Sequence, residues 1–299
     1  MIRKLLMAIV FLASAPAFAE QTAATLFAAQ DFPSNQESMP IGSYAKGCAA
    51  GLVELPETGP TWQAMRLSRH RNFGQPVTIA FVQDLSAFAA TQRGWNGLYV
   101  GDIGNPRGGP MDSGHASHQI GLDVDIWQLP AKRLNLSESE RESLSSIPVR
   151  SADQLSVTAN WTAQNREIMK AAALDPRVDR IFVAAAVKIE MCRTAKPSDK
   201  KWLQKIRPEA GHDTHFHVRL KCPKGSRLCQ TQVPDVSELS KGGSGCDDTL
   251  MWWVSEAYLH PERFPKPENP EPPPPPKKHP RQFVMADLPE QCAAVLASE

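Results

Sequence analysis

The chain has 299 residues, 22% of them charged, and a formal net charge of +1. That balance gives no field for nucleic acid, and after the first residues no stretch approaches the ~20 uninterrupted apolar residues of a membrane span. The length leaves room for one large domain or two small ones.

The N-terminus reads as an export leader over residues 1–19: "MIRK" is basic, "LLMAIVFLASA" is apolar but short for an anchor, and "AFA" before Glu20 is a small-x-small cleavage signal. Six cysteines follow it: Cys48, Cys192, Cys222, Cys229, Cys246 and Cys292. An even count in an exported chain predicts three disulfides. Cys222 and Cys229, which enclose "PKGSRL", form the natural local pair.

Residues 20–45 are polar and read as irregular. "TIAFVQDLSAFAA" (78–90) has apolar residues at helical spacing after Pro76, which predicts a helix. "GLYVGDIG" (97–104) predicts a strand running into the glycine-rich turn "GNPRGGPMDSG". "LDVDIW" (122–127) alternates, so a half-buried strand is expected, with Leu122, Val124 and Ile126 on the core and Asp123 and Asp125 sharing the other face. "LSESERESL" (136–144) predicts a surface helix. "WTAQNREIMKAAAL" (161–174) predicts another, with Asn160 as its cap. "RIFVAAAVKIEMC" begins as strand and continues as helix, and "HFHVRL" (215–220) alternates as a strand. Strands are not regularly followed by helices. The expected class is therefore α+β, a single domain on a central, mainly antiparallel sheet flanked by helices and stapled by disulfides. Beyond Cys246 the pattern weakens, and "FPKPENPEPPPPPKKHP" (264–280) predicts an extended polyproline spacer. Cys292 lies past it and is expected to pin the tail.

Eight histidines are present. Five fall in two clusters, His115 with His118 and His212 with His215 and His217; His70, His260 and His279 read as surface residues. In "HFHVRL" a strand period of two puts His215 and His217 on one face and Phe216 and Val218 on the other. Beside His118 and Asp125, such a pair makes a nitrogen and oxygen set suited to Zn²⁺. Three protein ligands leave a fourth position for water, as in catalytic zinc sites. Asp123 competes with Asp125 for the carboxylate role, and His115 with His118; spacing alone does not choose.

"SHQIGLDVD" (117–125) resembles the S-x-H-x-x-G-x-x-x-D signature of the lysostaphin/D-Ala-D-Ala peptidase group of zinc peptidases. More closely, "GHASHQIGLDVDIW" with "RPEAGHDTHFHVRLKCP" resembles the penicillin-insensitive murein endopeptidases. The resemblance implies Zn²⁺ on His118, Asp125 and His217, with His215 as base or transition-state stabiliser and His212 as a further active-site residue. It places His115 at a second metal position, although the partners such a site needs are not evident in "IPVRSADQLS" (147–156). Asp123 then orients a ligand. It further implies the pairings Cys48–Cys292, Cys192–Cys246 and Cys222–Cys229, and a peptidase domain over residues 20–260 with a Pro-rich tail over 261–299. The implied activity is hydrolysis, in the periplasm, of the D-alanyl–meso-diaminopimelyl cross-link of peptidoglycan. Two rival readings remain. One is a D-Ala-D-Ala-type carboxypeptidase closing on a terminal carboxylate, for which Arg107 is a candidate. The other is a non-catalytic wall-binding metal protein. The partner is peptidoglycan, with no nucleic acid and no membrane span, and a homo-oligomer is left open.

Overall fold

Six strands form one mixed sheet at the centre of the protein. The computed structural model describes residues 21–265 and 277–298; the expected leader and most of the proline run lie outside them. In chain order the strands are β1 (Met39–Ser43), β2 (Lys46–Ala50), β3 (Val53–Glu54), β4 (Trp62–Ala64), β5 (Phe73–Gly74), β6 (Leu98–Val100), β7 (Asp123–Trp127), β8 (Val178–Val183), β9 (Ile206–Pro208) and β10 (His215–Leu220). The main sheet runs β4-β6-β7-β10-β8-β9. Its three inner junctions are antiparallel and the two edge pairs, β4 with β6 and β8 with β9, are parallel.

The period of two decides what each face does. Val124 and Ile126 of β7, Ile181 and Val183 of β8, and Phe216 and Val218 of β10 are buried in the main hydrophobic core. The same core takes Phe81, Val82 and Leu85 from helix α2 (Pro76–Ala90), Ile168 and Met169 from α4 (Ala163–Leu174), and Val187 and Met191 from α5 (Ala185–Arg193). Two shorter helices are α1 (Ala23–Ala28) and α3 (Glu138–Ser143). Each large apolar side chain removed from water here contributes about 1.5–3 kcal/mol, so this face holds the sheet together. The other face is left to Asp123, Asp125, His215, His217 and Arg219.

Three local expectations change. Strand β7 is buried along its whole length rather than half-buried. Gly101 and Asp102, just after β6, extend its backbone ladder, with Gly101 N–H donating to the Asp125 carbonyl at 2.8 Å and Asp125 N–H to the Asp102 carbonyl at 3.0 Å, and the polar face is filled by His118, His217 and Arg219. A Cβ at residue 101 would stand 3.2 Å from Asp125 Cβ and Trp127 Nε1, a tight fit that glycine avoids. Helix α4 is capped by Thr162, not Asn160. Thr162 Oγ1 accepts the Asn165 N–H, and Asn165 Oδ1 accepts the Thr162 N–H in return. Asn160 instead donates its side-chain amide to the Pro148 carbonyl.

Residues 20–45 are also more ordered than their polarity suggests. Helix α1 and strand β1 bury Ala23, Phe27 and Ile41 in a second core with Cys48, Leu288, Cys292 and Val295. The last four of this set span the chain from β2 to the C-terminal helix Gln291–Ala297. Short helices also occupy Asp248–Trp252 and Glu256–Leu259, where the sequence pattern had faded. The disulfides are Cys48–Cys292, Cys192–Cys246 and Cys222–Cys229. No helix among the described residues is long and apolar enough to cross a membrane.

Candidate metal centre

The site is a product of strand register. Antiparallel pairing of β7 with β10 sets His217 opposite Asp125, Arg219 opposite Asp123, and His215 opposite Trp127. A slip of one residue would send all of these side chains into the apolar core. His118 enters from the segment preceding β7, just before the left-handed turn at Gly121.

Asp125 is the hub. Its Oδ1 lies 3.4 Å from His118 Nε2, 3.3 Å from His217 Nδ1 and 3.7 Å from His215 Nε2, and its Oδ2 lies 3.6 Å from His115 Nε2. His118 Nε2 and Asp125 Oδ1 are both buried without a hydrogen-bond partner. Burying such atoms unpaired is costly, and a cation between them removes the cost. The ligand-capable atoms of His115, His118 and Asp125 all lie within 4.8 Å of one another.

The surroundings fix which nitrogen each histidine offers. His118 Nδ1 is 2.9 Å from the Ile103 carbonyl, so it carries the proton and Nε2 keeps its lone pair for the site. The backbone at His118 is left-handed, with φ 68°, and its N–H donates to Asp123 Oδ2 at 3.0 Å. His217 Nε2 is 3.0 Å from Asp123 Oδ1, which turns Nδ1 toward Asp125. Asp123 is itself gripped by Arg219, Nε to Oδ1 at 2.8 Å and Nη2 to Oδ2 at 3.0 Å. Thus Asp125 faces the cluster, while Asp123 stands behind it and orients both His118 and His217.

His115 has a different partner. Its Nε2 is 3.0 Å from Oδ2 of Asp102, a buried carboxylate that also accepts from Arg69 and Arg71, each at 3.1 Å. Within residues 147–156 the one acid, Asp153, is exposed and accepts from Ser151 and the Leu155 N–H.

Charge follows from these contacts. Burial opposes ionisation of Asp125, but the imidazoles of His215 and His118 overcome it and hold the carboxyl far below its ordinary range. Arg219 and His217 do the same for Asp123. Asp102 is pulled down to about 2, against burial, by His115, Arg69 and Arg71. Burial lowers His215, although Asp125 pulls the other way. Burial, with His217 and His215 beside it, pushes His212 down to about 4. Its ring centroid lies 5.0 Å from that of His215.

The structure therefore brings all five clustered histidines to one place, with Asp123 and Asp125. His70 and His279 lie apart: His70 bonds the Asp31 carbonyl, and His279 accepts the Arg281 N–H. Arg107 also lies elsewhere. It is buried and donates to the carbonyls of Phe32, Val295 and Leu296, closing the end of the C-terminal helix rather than meeting a substrate. Spacing did not reveal Asp102, Arg69, Arg71 or Arg219. The one available signal was an acid inside the buried "VGDIG" run.

Comparison with known proteins places the chain in a family. A family model described as penicillin-insensitive murein endopeptidase matches residues 40–297. A protein of that name from Haemophilus influenzae is 39% identical over 217 residues, 73% of each chain. One from Klebsiella pneumoniae subsp. pneumoniae is 37% identical over 265 residues, 88% of each chain. One from Salmonella typhi is 38% identical over 257 residues, 86% of this chain and 85% of that protein. A histidine–carboxylate cluster able to hold a metal, carried on a chain matched over this extent, belongs to the penicillin-insensitive murein endopeptidase family of metallopeptidases.

Proposed function

We propose that the protein is a zinc endopeptidase of the bacterial periplasm, hydrolysing the D-alanyl–meso-diaminopimelyl amide that cross-links peptidoglycan, with His118, Asp125 and His217 as its metal ligands. The observation that carries this reading is the pair of buried, hydrogen-bond-free atoms His118 Nε2 and Asp125 Oδ1, with His217 Nδ1 beside the same oxygen. Two imidazoles and one carboxylate suit Zn²⁺ and leave a position open. His115 is the weaker ligand because its Nε2 is already engaged by Asp102, and its side chain is 22% exposed where that of His217 is 4% exposed. Three disulfides favour an oxidising compartment, as does the expected leader.

Bound zinc supplies an acidified water and a polarised carbonyl. The chain's own groups do the rest. His215 is kept neutral by burial and reaches the cluster edge with Nε2, where it can accept the proton of the attacking water. His212 lies beside it, ring centroids 5.0 Å apart, and its proximity is what supports a role in passing that proton to the leaving amine. No serine is acylated in such a reaction, so penicillin has no target in it.

The test is mass spectrometry of muropeptides from purified sacculi, incubated with and without a chelator. Cross-linked dimers should fall and monomers rise, and the chelator should stop both. Loss of terminal D-alanine with dimers untouched would mark a carboxypeptidase. Unchanged muropeptides in both samples would mark a wall-binding protein.

A further inference from the structure

Beside the histidine cluster lies a cleft of about 370 Å³, whose lining includes His115, Asp125, His215, Trp127, Arg66 and Arg69. Two arginines at the edge of a metal site are not explained by metal binding. Both come from one short segment with unusual backbone. Arg66 and His70 are left-handed, φ 60° and 52°, on either side of a single 3₁₀ turn, Leu67–Arg69. Neither is glycine, so each conformation costs about 1–3 kcal/mol. The segment is held in place regardless. Ser68 donates its N–H and its hydroxyl to the two carboxylate oxygens of Glu142, on α3, at 2.8 and 2.9 Å.

The arginines are aimed, not loose. The Arg66 guanidinium lies 5.6 Å from the Trp127 ring centroid and reaches Ser145 Oγ at 3.5 Å. Arg69 anchors Nη1 on Asp102 Oδ2 at 3.1 Å, yet its side chain remains 45% exposed. Asp102 Oδ2 is shared by Arg69, Arg71 and His115, and Arg71 is held by Asp112 as well. The remaining acid on the cleft wall, Asp125, is assigned to the metal in the proposed function. On the cleft wall Arg66 and Arg69 then face Asp102, while Glu142, held by Ser68, lies outside the lining; the two guanidiniums are planar forks, the form that matches a carboxylate.

We infer that the Arg66–Arg69 cleft binds the carboxylate carried by the same carbon as the leaving amine of the substrate. This rests on the proposed function, and it names a feature of that substrate. In a D-alanyl–diaminopimelyl cross-link the carbon bearing the scissile nitrogen also bears a free carboxylate. In a terminal D-Ala-D-Ala peptide the leaving alanine has one too, so the two substrates share this chemistry. A short chain of contacts ties the anion site to the reacting centre: Arg69 to Asp102, Asp102 to His115, and His115 to Asp125, none longer than 3.6 Å. A carboxylate docked on Arg69 and Arg66 would orient the leaving amine toward the His215 side of the cluster.

The experiment compares kcat/KM of the zinc-loaded enzyme on a defined cross-linked dimer with kcat/KM on the same dimer amidated at that carboxylate. Wild type should prefer the free acid by about 10–100-fold, the range of a charge-assisted pair. In Arg69→Gln the preference should shrink to within about threefold, and Arg69→Lys should restore part of it. A merely structural Arg69 would lower both rates and leave their ratio intact; an unchanged ratio in Arg69→Gln overturns the inference, and so does a wild type indifferent to amidation. Arg66→Gln, read the same way, keeps the test alive if Arg69→Gln fails to fold. A wild type that cleaves neither dimer but does cleave a D-Ala-D-Ala pentapeptide would end the endopeptidase reading instead. The carboxylate site would then be judged on the pentapeptide and its C-terminal amide by the same ratio.

Discussion

At His118 the chain accepts a left-handed backbone and obtains three things in one residue. The Ile103 carbonyl fixes the tautomer, Asp123 takes the N–H, and Nε2 is left bare toward Asp125. Removing a ligand therefore differs from removing a base. His118→Ala and Asp125→Ala should lose metal and activity together. His215→Ala should retain most of the metal and lose about 10²–10⁴-fold in rate. Metal content by mass spectrometry alongside dimer cleavage separates the cases, and the decisive pair is His217→Ala against His115→Ala. Metal loss in the first and retention in the second is expected; the reverse would falsify the ligand set. Asp123 gives a different prediction. It is fully buried between Arg219 and His217, so Asp123→Asn leaves Arg219 without its counter-charge and should cost about 3–5 kcal/mol in denaturant titrations. A loss under 1 kcal/mol would mean that Gln232, which Arg219 also reaches, carries the guanidinium alone. Sequence spacing offered Asp123 and Asp125 as equals. What sets them apart comes from far along the chain, above all Arg219 on the neighbouring strand, which grips Asp123 across 96 residues.

The elements were legible wherever periodicity was local. The apolar spacing of 78–90 and the alternation of "HFHVRL" both match the observed helix and strand, because each carries one apolar face for the core, although the histidine and arginine face of the strand is buried too. The reading failed where burial is supplied from far away. The apolar run at 23–28 sits inside a segment, 20–45, that reads as polar and irregular as a whole, and its Phe27 finds Val295 and Leu288 near the other end of the chain. Strand β7 reads as half-exposed because the side chains that bury its acids, His118, His217 and Arg219, come from other segments. The α4 cap is a near miss of two positions, and it is testable. Thr162→Ala should cost about 0.5–2 kcal/mol, while Asn160→Ala should cost less, since it removes one exposed amide bond. Helix α5 carries a second element-scale prediction. Lys188 is buried and donates to the carbonyls of Leu203 at 2.5 Å and Ser244 at 2.9 Å. Burial, and then the charge of Arg207, pushes it down to about 7. An unfolded lysine titrates near ~10.4. Between these values the unfolded chain holds a proton that the folded chain has released, so stability rises with pH across that window and is flat below it. Urea midpoints at several pH values from neutral upward should climb more steeply for wild type than for Lys188→Met. Parallel curves would mean that the two carbonyls keep the ammonium charged.

At the scale of the whole molecule, the chain ends are joined through one small core. Cys48 in β2 bonds Cys292 in the C-terminal helix, 244 residues on. Arg107 adds a second tie, donating to Val295 and Leu296 from the glycine-rich turn that follows β6. The clasp is thus connected to the roof of the site: Asn105, Arg107 and Gly108 lie in the same buried run as Asp102 and Ile103, which hold His115 and His118. A bridge closing a long loop restricts the unfolded chain most, although the two shorter disulfides inside this loop already restrict part of it. Replacing both Cys48 and Cys292 by alanine should cost about 2–5 kcal/mol. The more specific expectation is where the loss appears. If the clasp supports the turn, hydrogen exchange should quicken at Ile103 and Gly104 as well as in the C-terminal helix, and metal should dissociate faster. Arg107→Ala, with the disulfide intact, should produce a weaker form of the same pattern. Faster exchange confined to residues 285–298, with metal retention unchanged, would show that the clasp stabilises only the tail and leaves the site to the sheet.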